Sequence, residues 1–435
     1  MFKILSLKRR LIPLFILFSL FVYYRMLFNK NITKLNESLK VLAYYQNKAN
    51  HTLNLANLEE YFKIHQSIFM NKNFSAKKIT FNKNPVQNGY ANQLYSFISA
   101  LLIAIITDSQ FVFENEFIKN YTNPPLKMFD NINEEIGLSI IQFKKSIYKV
   151  KAKQAWLPHK NIDDLTSTVI PDTFLRYIYD SPEAFFMEIC TNPIYFDKLF
   201  SYNLVKAETL NSAVDSLIFR NIDENQKLES LFRVGFEVGG NLLNACWIPS
   251  EAISKEIKDY LENEFKDSYV IGFQIRSEYL PEKEIYLNKF IDCALDLESI
   301  YLKSNKNSKK IKWFISSETE QDIDYIKNDY KSKTHNIINT YGKLFHASLD
   351  SIGYKRAIAD SELLSKCDEI IVTGGSTFGW VPAMKMLKLP FYINVDDSAE
   401  KCSKARLSKP PVKYLNGFLY RFLRYIRLLS KDAVF

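Results

Sequence analysis

Three short stretches in the second half of the chain carry residues that could bind a phosphate or move a proton. Each stretch contains a polar segment that directly follows a short apolar run; the segments are Arg276, Glu318 and residues 374–377 (GGST). An arginine placed as a strand ends is held by a rigid element, and its fork of donors suits a diphosphate. A strand followed by a glycine turn and a helix start presents backbone N–H groups and the positive end of a helix dipole, which also favour phosphate.

Each of these features also has an ordinary structural explanation. Arg276 could form a salt bridge with Glu278, and strand–glycine–helix turns occur in many α/β proteins that bind nothing there. Glu278 and Glu318 are candidate general bases by position, although solvated loop acids are the commoner case. His346 could bind a nucleotide or shuttle a proton, but a lone histidine beside apolar residues is more often packed in a core.

The elements that would position these residues alternate along the chain between strand and helix. Such alternation predicts a doubly wound parallel sheet, with ligands at the carboxyl ends of its strands. The expected strands are residues 270–275, 311–316, 336–338, 369–373 and 390–393, and the expected helices are residues 283–302, 320–330, 354–365 and 378–387. We therefore assign residues 267–400 to a Rossmann-like lobe in which Ser376 and Thr377 are candidate N-caps.

A first lobe is expected over residues 85–266. Asn88 and Gly89 predict a turn, followed by an apolar helix over residues 92–106 and a strand over residues 110–113. Asn92 and Gln93 would face whatever sits above the turn; the plainer alternative makes Asn92 an N-cap.

Composition indicates a folded protein without a nucleic-acid partner. The 435 residues are 47% apolar and 24% charged, and the net charge of +9 is spread along the chain, which lacks the clustered basic patch of a nucleic-acid binder.

Five cysteines without a C-x-x-C pair exclude the usual zinc patterns and, in a lumenal chain, predict one or two disulfides plus an odd thiol. They are Cys190, Cys246, Cys293, Cys367 and Cys402.

The N-terminus predicts a membrane anchor. A basic cytosolic tail (residues 1–10) precedes an apolar span (residues 11–28), and no small-x-small cleavage pattern follows. A cleavable signal peptide is the alternative. Residues 29–84 are expected to form a lumenal stem, since N-x-Ser/Thr sequons cluster after the anchor. They stand at Asn31, Asn36, Asn50, Asn73 and Asn120. Residues 401–435 form a basic segment with an amphipathic helix, expected to pack on the body or lie on a membrane.

Three blocks together resemble the plant-type xyloglucan fucosyltransferases. Residues 272–276 (GFQIR) resemble that family's G-[IL]-Q-[VI]-R strand end, which relatives carry as H-x-R-R. Residues 357–365 (AIADSELLS) with 376–381 (STFGWV) resemble A-x-A-E-x-x-L-L-S … S-T-F-G-Y-V. Residues 89–93 (GYANQ) with Thr107 and Asp108 resemble G-L-G-N-R … T-D. The blocks follow the family's order across residues 85–395.

The resemblance implies a GT-B-like α/β enzyme: two Rossmann-like lobes, GDP-fucose bound in a central cleft, no metal or other cofactor, and inversion at the anomeric carbon. It makes Arg276 the catalytic residue that neutralises the leaving diphosphate. The donor-binding set carried over from the family comprises Gln274, Arg276, Gly375, Ser376, Thr377, Phe378, Asn92, Gln93 and Arg356.

Two departures from the family pattern leave the linkage, the acceptor and the activity itself open. The family's H-N-x-K is Gly353-Tyr354-Lys355-Arg356 here, so the histidine is absent, and residues 277–279 (SEY) replace a second arginine. No catalytic base is identified. The expectation is a Golgi type II membrane fucosyltransferase with a lumenal catalytic part and a glycan acceptor, with an α-1,2 link to a galactoside. The alternatives are a glycosyltransferase with another sugar donor, or an inactive member that binds glycans or nucleotides.

Overall fold

A computed structural model of the chain describes residues 78–81, 89–107, 110–113, 121–122, 176–179, 185–218, 222–277, 280, 282–304, 309–329, 335–340, 351–394 and 402–407. These residues do not include the predicted anchor, the asparagines of the five sequons, Glu278, His346 or the predicted basic helix after residue 407. Across the described ranges, we find no helix with the length and apolar character needed to cross a bilayer.

The described elements alternate from residue 268 onward, as the sequence predicts. The strands are β1 Lys78–Phe81, β2 Gln110–Phe113, β3 Arg176–Tyr179, β4 Ser268–Ile275, β5 Lys310–Ser317, β6 Asn336–Ile338, β7 Glu369–Thr373, β8 Phe391–Ile393 and β9 Ser403–Lys404. The α-helices are α1 Tyr90–Ile106, α2 Phe185–Ile189, α3 Phe196–Ser201, α4 Ala207–Ile218, α5 Glu224–Cys246, α6 Glu251–Tyr260, α7 Lys283–Ser304, α8 Glu320–Asn328, α9 Ser351–Leu364 and α10 Thr377–Met386. A 3₁₀ turn spans Pro193–Tyr195, and a π-helical turn spans Leu261–Phe265.

The second lobe contains a six-stranded sheet in the order β6-β5-β4-β7-β8-β9. Strands β4 to β8 pair in parallel, and only β9 runs antiparallel, against β8. The chain moves outward from β4 through β5 to β6, then returns to the other side of β4 and continues through β7 and β8. This order confirms the doubly wound sheet, and it places the reversal between β4 and β7.

Both faces of this sheet are covered, which explains the near-continuous apolar character of its strands. Ile271 and Phe273 of β4 share a core with Phe290 of α7. The opposite face packs against α9 and α10. There Gly272 is needed for space, since a Cβ would stand 2.8 Å from both the Cys367 sulfur and a Leu364 methyl group.

The first lobe contains a three-stranded parallel sheet with β1 in the middle, paired to β2 and β3. The expectation that residues up to 84 belong to a stem is therefore wrong at Lys78–Phe81. A four-residue strand gives too short a pattern to be recognised alone, and its partners are 32 or more positions away along the chain.

One of the two hydrophobic clusters extends across both lobes. Helix α1 of the first lobe and helix α5 both pack against α10 of the second, and buried residues of all three belong to one cluster. At Gly240 of α5 the backbones come so close that a Cβ would overlap the carbonyl oxygen of Met384.

The chain after residue 401 begins as part of the second lobe, which corrects its assignment to a separate C-terminal segment. Strand β9 pairs with β8, and Ala405 and Leu407 are buried. A disulfide joins Cys293 of α7 to Cys402. The other three cysteines are buried free thiols, so the structure has one disulfide and three thiols.

Candidate functional site

The carboxyl ends of β4 and β7 meet at the point where the strand order reverses. Arg276 follows β4, and residues 374–377 follow β7. The hydroxyl of Thr373 joins the two ends: it accepts a hydrogen bond from the Arg276 N–H at 2.8 Å and donates one to the Gln274 carbonyl at 3.1 Å. In doubly wound sheets a ligand binds in the crevice at such a reversal. The structure therefore brings together the two features that the sequence singled out.

The two glycines of the turn are needed for different reasons. The Gly374 N–H donates to the carbonyl of Ile393 at 2.8 Å, and a Cβ at this position would stand 2.6 Å from that oxygen. Gly375 has a φ of 78°, in the left-handed region that other residues rarely adopt. Together they turn the chain sharply from a buried strand into helix α10.

A buried hydroxyl at the start of helix α10 lacks a hydrogen-bond partner among the described residues. Of the two N-cap candidates, Ser376 is the N-cap, but its side chain makes no capping hydrogen bond. The residue is 1% exposed, and within the described part of the chain its Oγ has no hydrogen-bond partner. Because an unsatisfied buried hydroxyl costs free energy, its position at a helix N-terminus favours a site for a hydrogen-bonding ligand.

Arg276 is paired with Glu318. Its Nε lies 2.7 Å from Glu318 Oε1, and the two side chains are 19% and 26% exposed. The pairing follows from strand register: Ile275 lies beside Ser317, so the next residues of the two parallel strands are also neighbours. Glu318, a candidate base in the sequence, is engaged by the arginine in this structure. The alternative partner, Glu278, is outside the described residues.

Gln274 lies beneath helix α10. It is 3% exposed, and a Cβ on Gly379 would stand 2.7 Å from its Oε1. Gln274 therefore lies under the first turns of α10, and its Oε1 has no hydrogen-bond partner within the described residues. Its role in donor binding stays a prediction.

Arg356 belongs to a buried polar cluster at the same edge of the sheet. Its Nε lies 3.7 Å from Asp360 Oδ2, one turn along α9. Asp360 also accepts hydrogen bonds from the hydroxyls of Ser316 at 2.8 Å and Thr340 at 2.5 Å. Burial raises the pKa of Asp360, although Arg356, Thr340 and Ser316 act in the opposite direction. The cluster fixes Arg356 to the ends of β5 and β6.

The first lobe contacts the site through α1. The Tyr95 hydroxyl donates to the carbonyl of Thr377 at 3.1 Å, which ties α1 to the start of α10. Gln93 is fully buried, and its Oε1 accepts a hydrogen bond from Tyr354 at 2.8 Å. Gln93 thus joins the two lobes, in place of the expected position facing a cleft. Asn92 is partly exposed and is not an N-cap, because the helix is capped by Gly89.

An aromatic cluster that sequence reasoning missed surrounds Tyr90. The ring of Tyr90 lies 6.1 Å from Trp247, 5.6 Å from Tyr354 and 6.1 Å from Phe378, measured between centroids. The Trp247 indole N–H donates to the Tyr90 hydroxyl at 2.9 Å. Burial raises the pKa of Tyr90, and the charge of Glu362 raises it further. The high aromatic content of the chain was the only advance signal of such a cluster.

No family model and no curated protein matches the chain. Among solved structures, a mutant of Arabidopsis thaliana FUT1 in complex with GDP matches at a TM-score of 0.56 and 14% identity, covering 82% of each chain. NodZ alpha-1,6-fucosyltransferase soaked with GDP-fucose matches at a TM-score of 0.45 and 14% identity, and the match covers 76% of this chain and 99% of NodZ. POFUT1 in complex with GDP-fucose matches at a TM-score of 0.33 and 12% identity, and the match covers 72% of this chain and 94% of POFUT1. The likeness to the first of these shows a shared fold.

Proposed function

We propose that the chain, which shares its fold with Arabidopsis thaliana FUT1, transfers L-fucose from GDP-fucose to a hydroxyl of a glycan acceptor. The observation that carries this proposal is the arrangement at the reversal of the second sheet. There an arginine, a glycine turn and the N-terminus of α10 come together, with the buried Oγ of Ser376 lacking a partner within the described residues. A diphosphate is the ligand that this combination suits best.

In the proposed reaction, the bond between fucose and the β-phosphate of GDP breaks, and negative charge develops on the leaving diphosphate. Arg276 supplies a fixed positive charge, while the N-terminus of α10 and the Ser376 and Thr377 hydroxyls supply neutral donors. Each well-placed donor lowers such a barrier by about 3 to 4 kcal/mol. Phe378 follows directly and is half-buried, so we assign it to the fucose side of the donor.

The finer features of the proposal come from the resemblance of three sequence blocks to plant-type xyloglucan fucosyltransferases. These features are inversion at the anomeric carbon, independence of metal ions, an α-1,2 link to a galactoside, and a donor cleft between the lobes. Arg356 joins the donor site in this scheme. It is fastened to the same sheet edge as Arg276 by Asp360, which supports that assignment.

We also propose that the catalytic part lies in the Golgi lumen behind an N-terminal anchor. The apolar N-terminal stretch and the sequons motivate this location. The Cys293–Cys402 disulfide supports it, since disulfides persist in secretory compartments and are rare in the cytosol.

Thermal unfolding of the purified full-length chain with GDP, UDP or ADP tests donor recognition. GDP alone should raise the unfolding temperature, because a ligand at 100 times its Kd adds about 2.7 kcal/mol of stability. Stabilisation by UDP in place of GDP would instead indicate another sugar donor. Release of GDP from GDP-fucose with a panel of glycans then tests turnover, and binding without release would indicate an inactive member.

Substitution of Arg276 tests the site itself. Arg276→Ala should lower turnover by about 100- to 1000-fold, since it removes the charge opposite the leaving group. Arg233→Ala is the matched control, because Arg233 is a partly exposed arginine of α5 that pairs with Glu229. Full activity in the Arg276→Ala enzyme would refute the proposed role.

A further inference from the structure

Arg276, the residue assigned to the diphosphate, has a fixed carboxylate beside it. Glu318 Oε1 lies 2.7 Å from the Nε of Arg276. A carboxylate next to a phosphate-binding arginine has two opposing effects. It fixes the orientation of the guanidinium plane, and it places a negative charge near a ligand that is itself negative.

Glu318 is itself held in place on both sides along the chain. The preceding residue, Ser317, ends β5 and donates its hydroxyl to Asp322 at 2.5 Å. The following residue, Thr319, is the N-cap of α8 and accepts a hydrogen bond from the Asp322 N–H at 3.4 Å. Asp322 is fully buried and also pairs with Lys283 at 2.6 Å. Glu318 therefore sits on a rigid corner between a strand and a helix, unlike an ordinary surface acid.

We propose that Glu318 is a positioning residue that holds the Nε edge of Arg276, turns the other edge toward the diphosphate, and limits how tightly GDP is held. This inference rests on the proposed function. By its position, Glu318 raises the binding contribution of Arg276 through orientation. By its charge, it lowers the affinity for the diphosphate and so speeds release of GDP after transfer.

Two conservative substitutions separate these effects. Glu318→Gln keeps the length of the side chain and an oxygen that accepts the Nε–H bond, but it removes the charge. Glu318→Asp keeps the charge but is one methylene shorter, so its carboxylate no longer reaches Arg276 in the same geometry. A residue with only a structural role would weaken ligand binding when changed in either way.

The test is calorimetric titration of the full-length chain with GDP, inorganic pyrophosphate and guanosine. Glu318→Gln should lower the Kd for GDP and pyrophosphate by about threefold to tenfold, and less so at high salt, because a repulsive charge is removed. Glu318→Asp should raise both values. Guanosine, which has no phosphate, should bind all variants alike. Glu320→Gln is the matched control, since it removes the same charge from an exposed position in the first turn of α8.

The outcomes distinguish this proposal from the proposed function. If the wild type binds neither GDP nor pyrophosphate, both proposals fall. If the wild type binds GDP and Glu318→Gln binds it equally well or more weakly, only the role of Glu318 is refuted. Opposite shifts for the two substitutions, with an unchanged Glu320→Gln control, would support it.

Discussion

A buried ion pair joins helix α9 to helix α10 in the second lobe. Lys385 Nζ lies 2.5 Å from Glu362 Oε1, and the two side chains are only 6% and 8% exposed. Burial lowers the pKa of Lys385, while the nearby Glu362 acts to raise it. Desolvation and attraction thus oppose each other here, and the short distance alone does not set the net contribution of the pair.

Lys385→Met removes one partner and leaves the Glu362 carboxylate buried without its cation. We expect a loss of about 3 to 5 kcal/mol in the free energy of unfolding. Domains are stable by about 5 to 15 kcal/mol, so this loss would be a large fraction of the total. The double substitution Lys385→Met with Glu362→Leu removes both charges, and its stability should lie within about 1 kcal/mol of the wild type or above it.

Urea unfolding of the wild type, both single variants and the double variant measures this coupling directly. Lys388→Met is the matched control. Lys388 pairs with Glu369 at 2.6 Å, but its side chain is 38% exposed, so its loss should cost less than about 1 kcal/mol. A Lys385→Met variant no less stable than the Lys388→Met control, or a double variant as unstable as Lys385→Met, would refute the reasoning.

Two further predictions concern the disulfide and the buried carboxylate. Cys402→Ser should lower the free energy of unfolding under non-reducing conditions by up to about 5 kcal/mol, since the disulfide closes a loop of roughly 100 residues. In reductant the variant and the wild type should be equally stable, and a difference in stability that persists in reductant would contradict the prediction. Burial raises the pKa of Asp360, so its contribution to stability is fully present below about pH 4 and is lost as the pH rises through the folded value. In urea titrations, the free energy of unfolding of the wild type relative to that of Asp360→Asn should therefore fall as the pH rises above about 4. A difference that stays constant with pH would show that folding does not raise the pKa of Asp360.

The local elements of the second lobe were predictable from the sequence because short-range patterns encode them. β-branched runs bounded by glycine or polar residues marked β6 and β7 at their observed limits. The other strands and helices between residues 268 and 393 were marked to within a few residues, whereas the two-residue strand β9 was missed. Residue type also marked the glycine turn and the start of α10 to within one residue, since Ser376 and Thr377 were the N-cap candidates and Ser376 is the N-cap. The position of Arg276 at a strand end likewise makes it a candidate by residue type and placement.

Other features arise only when distant segments meet. Strand order decides that Arg276 lies beside both Thr373 and Glu318, which are 97 and 42 positions away in the chain. Neither partner could be assigned from the sequence, because the residues at a strand end do not determine which strands lie on either side of it.

The sequence by itself determined the alternation of strands and helices, the residue types at the strand ends and the likeness to a family. Tertiary structure alone decided the middle position of β1, the pairing of Cys293 with Cys402 and the burial of Gln93 against Tyr354. The physical reason is the distance along the chain over which each kind of interaction acts. Backbone preference and hydrophobic periodicity act over a few residues, whereas sheet order, disulfide pairing and contacts between lobes depend on which surfaces are buried together once the whole chain has folded.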